Sequence, residues 1–351
     1  MTDPAAPGAR LRFGMEGATR FLSSRAAPIL FGCLTALEVA FLWGTISPVA
    51  TIHDEAAYLF QAKVFATGRW TAPAPPLPEF FEQFHVLVTP VFAGKYPPGH
   101  SLLLVPGIWL GASGLMPCVL AGIAGGLLYL LARRFANPWA ALLTWLIWTT
   151  SPGNLRYLPS YLSQSTTVAL WLLGWWALAQ WLQGKGTRWL MLLFSAAAWG
   201  ALTRPFTFVG YAAASGFVVV REIAKRRAWG ELARALVPAA AILGILPLWN
   251  ARTTGDVRLT PYVLYLKTYF PAQGLGFGLP ADRQPKRALP RDMILYDWEF
   301  LAVHEAYTLA SVPKQLLLRV LGILGNSWDD WRWPLSFFFF LGLRERPREG
   351  L

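Results

Sequence analysis

Acidic residues are missing where most proteins have them: between Glu82 and Glu222 the chain carries no Asp or Glu at all. Charged residues make up only 14% of its 351 positions, against roughly 25% in an ordinary soluble domain, so water cannot be its main solvent. There are two cysteines, Cys33 and Cys118, and both fall inside apolar runs. This excludes a disulfide framework and a cysteine-based zinc site and leaves the redox compartment undetermined. No fixed-period repeat or low-complexity tract is present, although prolines cluster at 73–78.

What is abundant is apolar. Hydrophobic residues reach 55%, with 18 Trp and 22 Phe, and the mean hydropathy is +0.39. A net charge of +12 would point to nucleic acid in a soluble protein, but here Lys and Arg sit in short loops between apolar runs. That is the positive-inside pattern of a membrane protein, and no nucleic acid partner is expected. Arg10, Arg12, Arg20 and Arg25 precede an apolar run over 26–50 that is too long for a signal-peptide core and lacks a small-x-small cleavage site. It reads as a retained first span.

Seven candidate spans follow from apolar length: 27–48, 115–132, 138–152, 162–182, 188–203, 206–221 and 232–250. The stretch 101–115 is short and broken by Pro106, Gly107 and Gly111, as in a re-entrant or interfacial segment. If it does not cross, Arg133/Arg134, Lys185/Arg188 and the basic cluster from Arg221 to Arg234 all share a side with the basic N-terminus. The expected fold is therefore an all-α, polytopic integral membrane bundle of about 7–8 transmembrane helices. It divides into a cytoplasmic tail 1–26, a transmembrane core 27–250 with an outer loop 51–114, an outer loop 251–312, and 313–351. That last part reads as an interfacial helix from about Val312 to Gly325, an aromatic belt of Trp328, Trp331 and Trp333, and an incomplete final span at 335–343.

Three motifs carry chemistry. Thr51-Ile-His-Asp-Glu55 follows the first span and opens a helical stretch, placing Asp54 and Glu55 at an outer membrane end almost devoid of other acids. A capping box from Thr51 to Asp54 explains the same residues as local structure. Lys95-Tyr-Pro-Pro-Gly-His100 fixes a turn from which a cation and an imidazole can hold a phosphate; an interfacial anchor is the alternative. Arg204, in Leu-Thr-Arg-Pro at the end of a span, is costly unless paired, and an anionic lipid phosphate suits it; snorkelling to the interface is the alternative. Arg156, beside Tyr157, is a weaker case of the same kind. His53, His85 and His100 share the first loop with the acids, which is compatible with a divalent metal, but diagnostic ligand spacing is absent. No metal and no cofactor is required by the sequence.

Taken in order, His-Asp-Glu-Ala-Ala-Tyr-Leu-Phe-Gln-Ala, Gly68-Arg69-Trp70, Lys95-Tyr-Pro-Pro-Gly-His, Ala-Arg-Arg-Phe and Leu-Thr-Arg-Pro resemble bacterial membrane glycosyltransferases of the protein-mannosyltransferase and aminoarabinose-transferase type. The likeness covers about 50–250. It implies a GT-C fold with interfacial helices in the first outer loop, a bacterial inner-membrane location with a periplasmic active face, and a polyprenyl-phosphate sugar donor. By position it makes Asp54 the catalytic carboxylate with Glu55 beside it, and Lys95 the phosphate-binding lysine. The expected phosphate site also takes Arg204, Arg156 and His100, and His53, Tyr58 and Tyr96 are the expected substrate contacts. Asp54 is expected to gain basicity from the nearby membrane surface. A second acid that relatives carry after the third span is missing, since 160–165 reads Ser-Tyr-Leu-Ser-Gln-Ser, and the C-terminal spans of longer relatives are absent, as in a shortened member.

The expected function is thus sugar transfer from a polyprenyl phosphate to a lipid, glycan or protein acceptor. A transporter or flippase for a lipid-linked substrate is the competing class, but such proteins place ionisable sites near the bilayer midplane, often in repeated halves. A non-catalytic truncated remnant is the third reading.

Overall fold

The computed structural model describes residues 7–273, 277–279 and 284–332 and is largely helical. It forms two compact units, Met1–Ile147 with Leu158–Tyr265, and Trp148–Tyr157 with Leu266–Leu351.

The first unit begins with α1 (Pro7–Ser23), a helix where the sequence offers only a basic tail, followed by α2 (Ala26–Trp43) and α3 (His53–Ala66). Gly44 stops α2 in a left-handed conformation, φ 65°, its N–H bonding Ala40 and Phe41 carbonyls that would otherwise be orphaned. A small antiparallel sheet follows, which the expected all-α fold with interfacial helices in this loop does not include: β1 (Ala72–Pro73), β2 (Val86–Leu87) and β3 (Val91–Gly94), in the order β1-β3-β2. Next come α4 (Gly99–Trp109) and α5 (Leu115–Phe135), then α6 (Pro138–Thr149), and α7 (Pro152–Tyr157) of the second unit. The first unit resumes with α8 (Gln164–Leu182), α9 (Thr187–Ala201), α10 (Pro205–Arg226), α11 (Trp229–Leu243) and α12 (Ile245–Thr254), and then α13 (Pro261–Tyr269) begins. The second unit also holds α14 (Arg291–Glu305) and α15 (Val312–Arg332). Helix α15 covers the stretch expected to lie in the interface; Trp333 and the run 335–343 lie outside the described residues.

Four helical segments are long and apolar enough to cross a membrane among the described residues: Ala26–Trp43, Leu115–Phe135, Pro205–Arg226 and Trp229–Thr254. The other expected spans also fall on helices, but α6 has 12 residues and α9 has 15. At ~1.5 Å per residue these reach about 18 and about 22 Å, short of a ~30 Å hydrocarbon core. Pro152 interrupts what the sequence reads as one span over 138–152.

Close packing of α2 on α5 depends on glycine. A β-carbon on Gly32 would come 2.8 Å from the Gly122 carbonyl oxygen, one on Gly122 would come 2.9 Å from that of Gly32, and one on Gly126 would come 2.8 Å from that of Pro28. This small-xxx-small seam lets backbones touch where the hydrophobic effect offers no drive between helices.

Hydrogen bonds sort the loops of the first unit to two ends. At one, Arg133 and Tyr129 bond the Leu22 carbonyl, the Arg226 guanidinium bonds that of Leu182, and Trp181 Nε1 donates to Glu231. At the other, Gly114 N–H donates to Ile46 O at 2.9 Å and Gly99 N–H to Leu202 O at 2.8 Å. Both flanks of α4 therefore lie at the end opposite the basic residues, and its 11 residues do not have the length to travel between the ends.

Candidate functional site

Helix α3 starts at the non-basic end and is fixed there by polar contacts that run through its whole length. Gln61 donates to the Trp70 carbonyl and accepts from Gly94 N–H, each at 2.9 Å, tying α3 to β3. Ser101 on α4 donates to the Tyr58 carbonyl. Antiparallel pairing of Val86 with Gly94 sets the residue before β2 beside the residue after β3, and Lys95 N–H donates to His85 O at 2.9 Å. His85 and Lys95 are thereby carried to the first turn of α3.

There the two acids separate. Glu55 is buried and turns back to accept from the Thr51 N–H at 2.9 Å and the Thr51 hydroxyl at 3.4 Å, so it ties the chain entering the helix to its first turn. Asp54 does not cap. Its Oδ1 accepts a short hydrogen bond from the Tyr96 hydroxyl and its Oδ2 lies 3.3 Å from His85 Nε2, while the side chain stays 40% exposed. Burial alone would raise its pKa, but hydrogen bonds from His85 and Tyr96 and the charges of His85 and Lys95 outweigh burial and hold the carboxyl well below the usual range. The expected gain in basicity is thus reversed, because the sequence does not reveal these donors. Burial and the bond to Asp54 push the Tyr96 hydroxyl far up, so Tyr96 remains a donor.

Lys95 is 6% exposed, its ammonium set over the rings of Tyr265, Tyr262 and Tyr96 at 4.5, 4.9 and 5.2 Å from the centroids. Among the described residues no carboxylate lies within ion-pair distance of it. Burial lowers its pKa to about 8, and the Asp54 charge only partly opposes this. Cation–π contact offsets some of the desolvation, about 0.5–2 kcal/mol per ring. Tyr58 forms the floor, stacked on Tyr96 with centroids 4.6 Å apart and donating to Ser163.

The Lys95–His100 turn and the Leu-Thr-Arg-Pro motif meet directly. A β-carbon on Gly99 would come 2.7 Å from Thr203 Oγ1 and 2.8 Å from Leu202 O, so only glycine lets the turn sit on the end of α9. Arg204 follows there, exposed, and its charge is felt by both Tyr58 and His100. His100 itself is fully buried, Nδ1 2.8 Å from Thr166 Oγ1 and Nε2 2.7 Å from the Tyr161 carbonyl. Both nitrogens are used in joining α4 to α8, which leaves neither for a phosphate. His53 is exposed and packs its ring on Phe84. Arg156 lies on α7 in the second unit and is exposed.

Three members of the cluster carry no motif: His85, Tyr262 and Tyr265. His85 has one visible signal, as a histidine in the loop that holds the acids; the tyrosines, about 170 positions beyond Lys95, have none. Among the described residues no group of three or more His, Cys, Asp or Glu converges in a way that would hold a metal.

Residues 110–249 match the family described as dolichyl-phosphate-mannose-protein mannosyltransferase. The match covers less than half of the chain and leaves Asp54, His85, Lys95, Tyr262 and Tyr265 outside it. No curated protein and no solved structure matches the chain. Together with the apolar helices, the match supports a membrane glycosyltransferase role in general terms.

Proposed function

We propose that the protein transfers a sugar from a polyprenyl-phosphate carrier to a hydroxyl of a lipid, glycan or protein acceptor, at the membrane face opposite its basic loops. In a bacterial inner membrane this is the periplasmic face, where a lipid must bring the donor because nucleotide sugars are absent. The observation that carries the reading is a half-buried Asp54 carboxylate whose charge reaches the caged Lys95 ammonium, at the end of the first unit where the turn after Lys95 packs against Leu202, two residues before Arg204.

The roles follow from charge. Asp54 takes the proton of the acceptor hydroxyl as its oxygen bonds the anomeric carbon; the carbon–oxygen bond to phosphate breaks, and its electron pair leaves on the lipid phosphate. Lys95 and Arg204 stabilise the charge that develops there. As the acceptor oxygen bonds an oxocarbenium-like carbon its proton becomes strongly acidic, so a carboxylate of low pKa can still be the base that takes it. Arg204 supplies a planar fork and Lys95 a compact point charge. Tyr96, backed by the buried Tyr58, offers an aromatic face to the sugar, and the exposed His53, packed on Phe84, offers a further polar contact. Glu55, His100 and Arg156 are not used in this reading. The bundle requires the shorter helices to complete a crossing together with their flanking residues, giving seven to eight passages.

The test is to incubate the purified protein in lipid nanodiscs with a panel of radiolabelled polyprenyl-phosphate sugars and a membrane-extract acceptor. Label should pass from at least one donor to an acceptor, with release of the lipid phosphate. Intact protein that consumes none of the donors contradicts the proposal.

A further inference from the structure

His85 is expensive to keep where it stands. Its backbone is left-handed, φ 65°, a conformation that is uncommon for any residue but glycine. The strain is held from both sides: its N–H donates to the Tyr265 hydroxyl at 2.9 Å and its carbonyl accepts from Lys95 N–H at 2.9 Å. The ring sits among Phe84, Tyr96 and Tyr265, a setting that favours an apolar side chain. Among the described residues its buried Nδ1 has no hydrogen-bond partner, which costs about 1–3 kcal/mol. What the imidazole makes in return is the contact from Nε2 to Asp54 Oδ2.

His100, in the same loop, shows the alternative. A histidine that serves only packing has both nitrogens bonded, to Thr166 and Tyr161. His85 instead gives up one nitrogen and a relaxed backbone to aim the other at the half-buried carboxylate. Strain of this kind, held by the surrounding structure, is characteristic of functional positions.

We propose that His85 is a positioning residue for Asp54, donating from Nε2 to hold the carboxylate oriented and ionised for proton transfer. This rests on reading Asp54 as the base. The groups facing the pair are Tyr96 and Lys95 from the turn before α4, Tyr262 and Tyr265 from α13, and His53 from the start of α3. Burial, joined by the charge of Lys95, lowers the pKa of His85 despite the bond and charge of Asp54, which raise it. Removing this donor lets the Asp54 pKa rise, and the acid limb of the pH–rate profile moves to higher pH.

The experiment reads Asp54 directly. The carboxylate infrared band that disappears in Asp54→Asn is titrated in the wild type, in His85→Phe and in His85→Gly, which relaxes the backbone without supplying a donor. The midpoint should rise in both variants. With polyprenyl-phosphate mannose as the probe donor, kcat should fall about 10²-fold while KM stays within about threefold, and His85→Asn, which tolerates the left-handed backbone and keeps an N–H, should recover part of the loss. An unchanged midpoint in His85→Gly overturns the proposal, even if His85→Phe does not fold. Should the wild type transfer no sugar from any donor, the proposed function fails, but the midpoint shift still decides whether His85 positions Asp54.

Discussion

Where α2 packs on α5, backbone meets backbone through Gly32, Gly122 and Gly126, and shape alone does the work. At the end of those same helices, Asp54, His85 and Lys95 are held by hydrogen bonds, aromatic rings and a left-handed residue, and shape is given up for chemistry. The first region lies partly within the family match and the second lies wholly outside it, apart from Arg204 and its neighbours. A family match over helices therefore speaks for a scaffold, and the activity must be argued from side chains the match does not reach. The two regions should also respond to substitution in opposite ways.

The largest effect expected of the cation pair is on donor binding. Lys95→Ala or Arg204→Ala should weaken affinity for the polyprenyl-phosphate donor by about 30-fold or more, as losing one partner of a desolvated charge contact does. Melting in detergent should barely move. Arg204→Lys should rescue only in part, since lysine lacks the fork. Equal donor affinity in both alanine variants, measured by filter binding, would break the contrast.

The reverse pattern belongs to the seam. Gly122→Leu forces the α2 and α5 backbones apart and should cost about 1–3 kcal/mol of stability or prevent accumulation of folded protein. Whatever folds should retain its donor affinity. Loss of donor affinity in a folded Gly122→Leu protein would show that the two regions are not separable.

A finer test uses pH. Burial holds the Lys95 ammonium at about 8, so in the free enzyme kcat/KM should fall as pH rises through about 8 and the charge is lost. Lys95→Arg stays charged at all accessible pH and should lose this alkaline limb. Persistence of the limb in a folded Lys95→Arg protein assigns it to another group. The smallest effect is expected at Glu55: Glu55→Gln keeps an acceptor for Thr51 N–H and should change stability by less than the about 0.5–2 kcal/mol of a lost cap. Turnover should be nearly unchanged.

Much of this was legible in the sequence because it is local. Apolar length finds the helices, since each apolar run must satisfy its own backbone. Pro97, Pro98 and Gly99 mark a turn, and Arg204 marks itself by standing at the end of an apolar run. That these two motifs touch is tertiary, though the glycine that permits it was already part of the motif. The acids were legible as a pair but not in their roles: a capping box from Thr51 to Asp54 is one residue short of the bond the helix makes, which uses Glu55 and frees Asp54. The strands were not legible, because runs of two to four residues carry no alternation. Tyr262 and Tyr265 were out of reach for a different reason, since an aromatic residue announces a cation cage only once the chain has folded over the lysine.

The central claim is that Asp54, and not the helices around it, carries the chemistry. Asp54→Asn keeps the size of the side chain and an acceptor for Tyr96, and Asp54 makes no cap that its helix would lose. Turnover of a radiolabelled polyprenyl-phosphate sugar by purified Asp54→Asn protein should fall by about 10²–10⁴-fold, with donor affinity and melting close to wild type. Retention of more than about a tenth of wild-type turnover, far above what loss of a general base allows, would contradict the account.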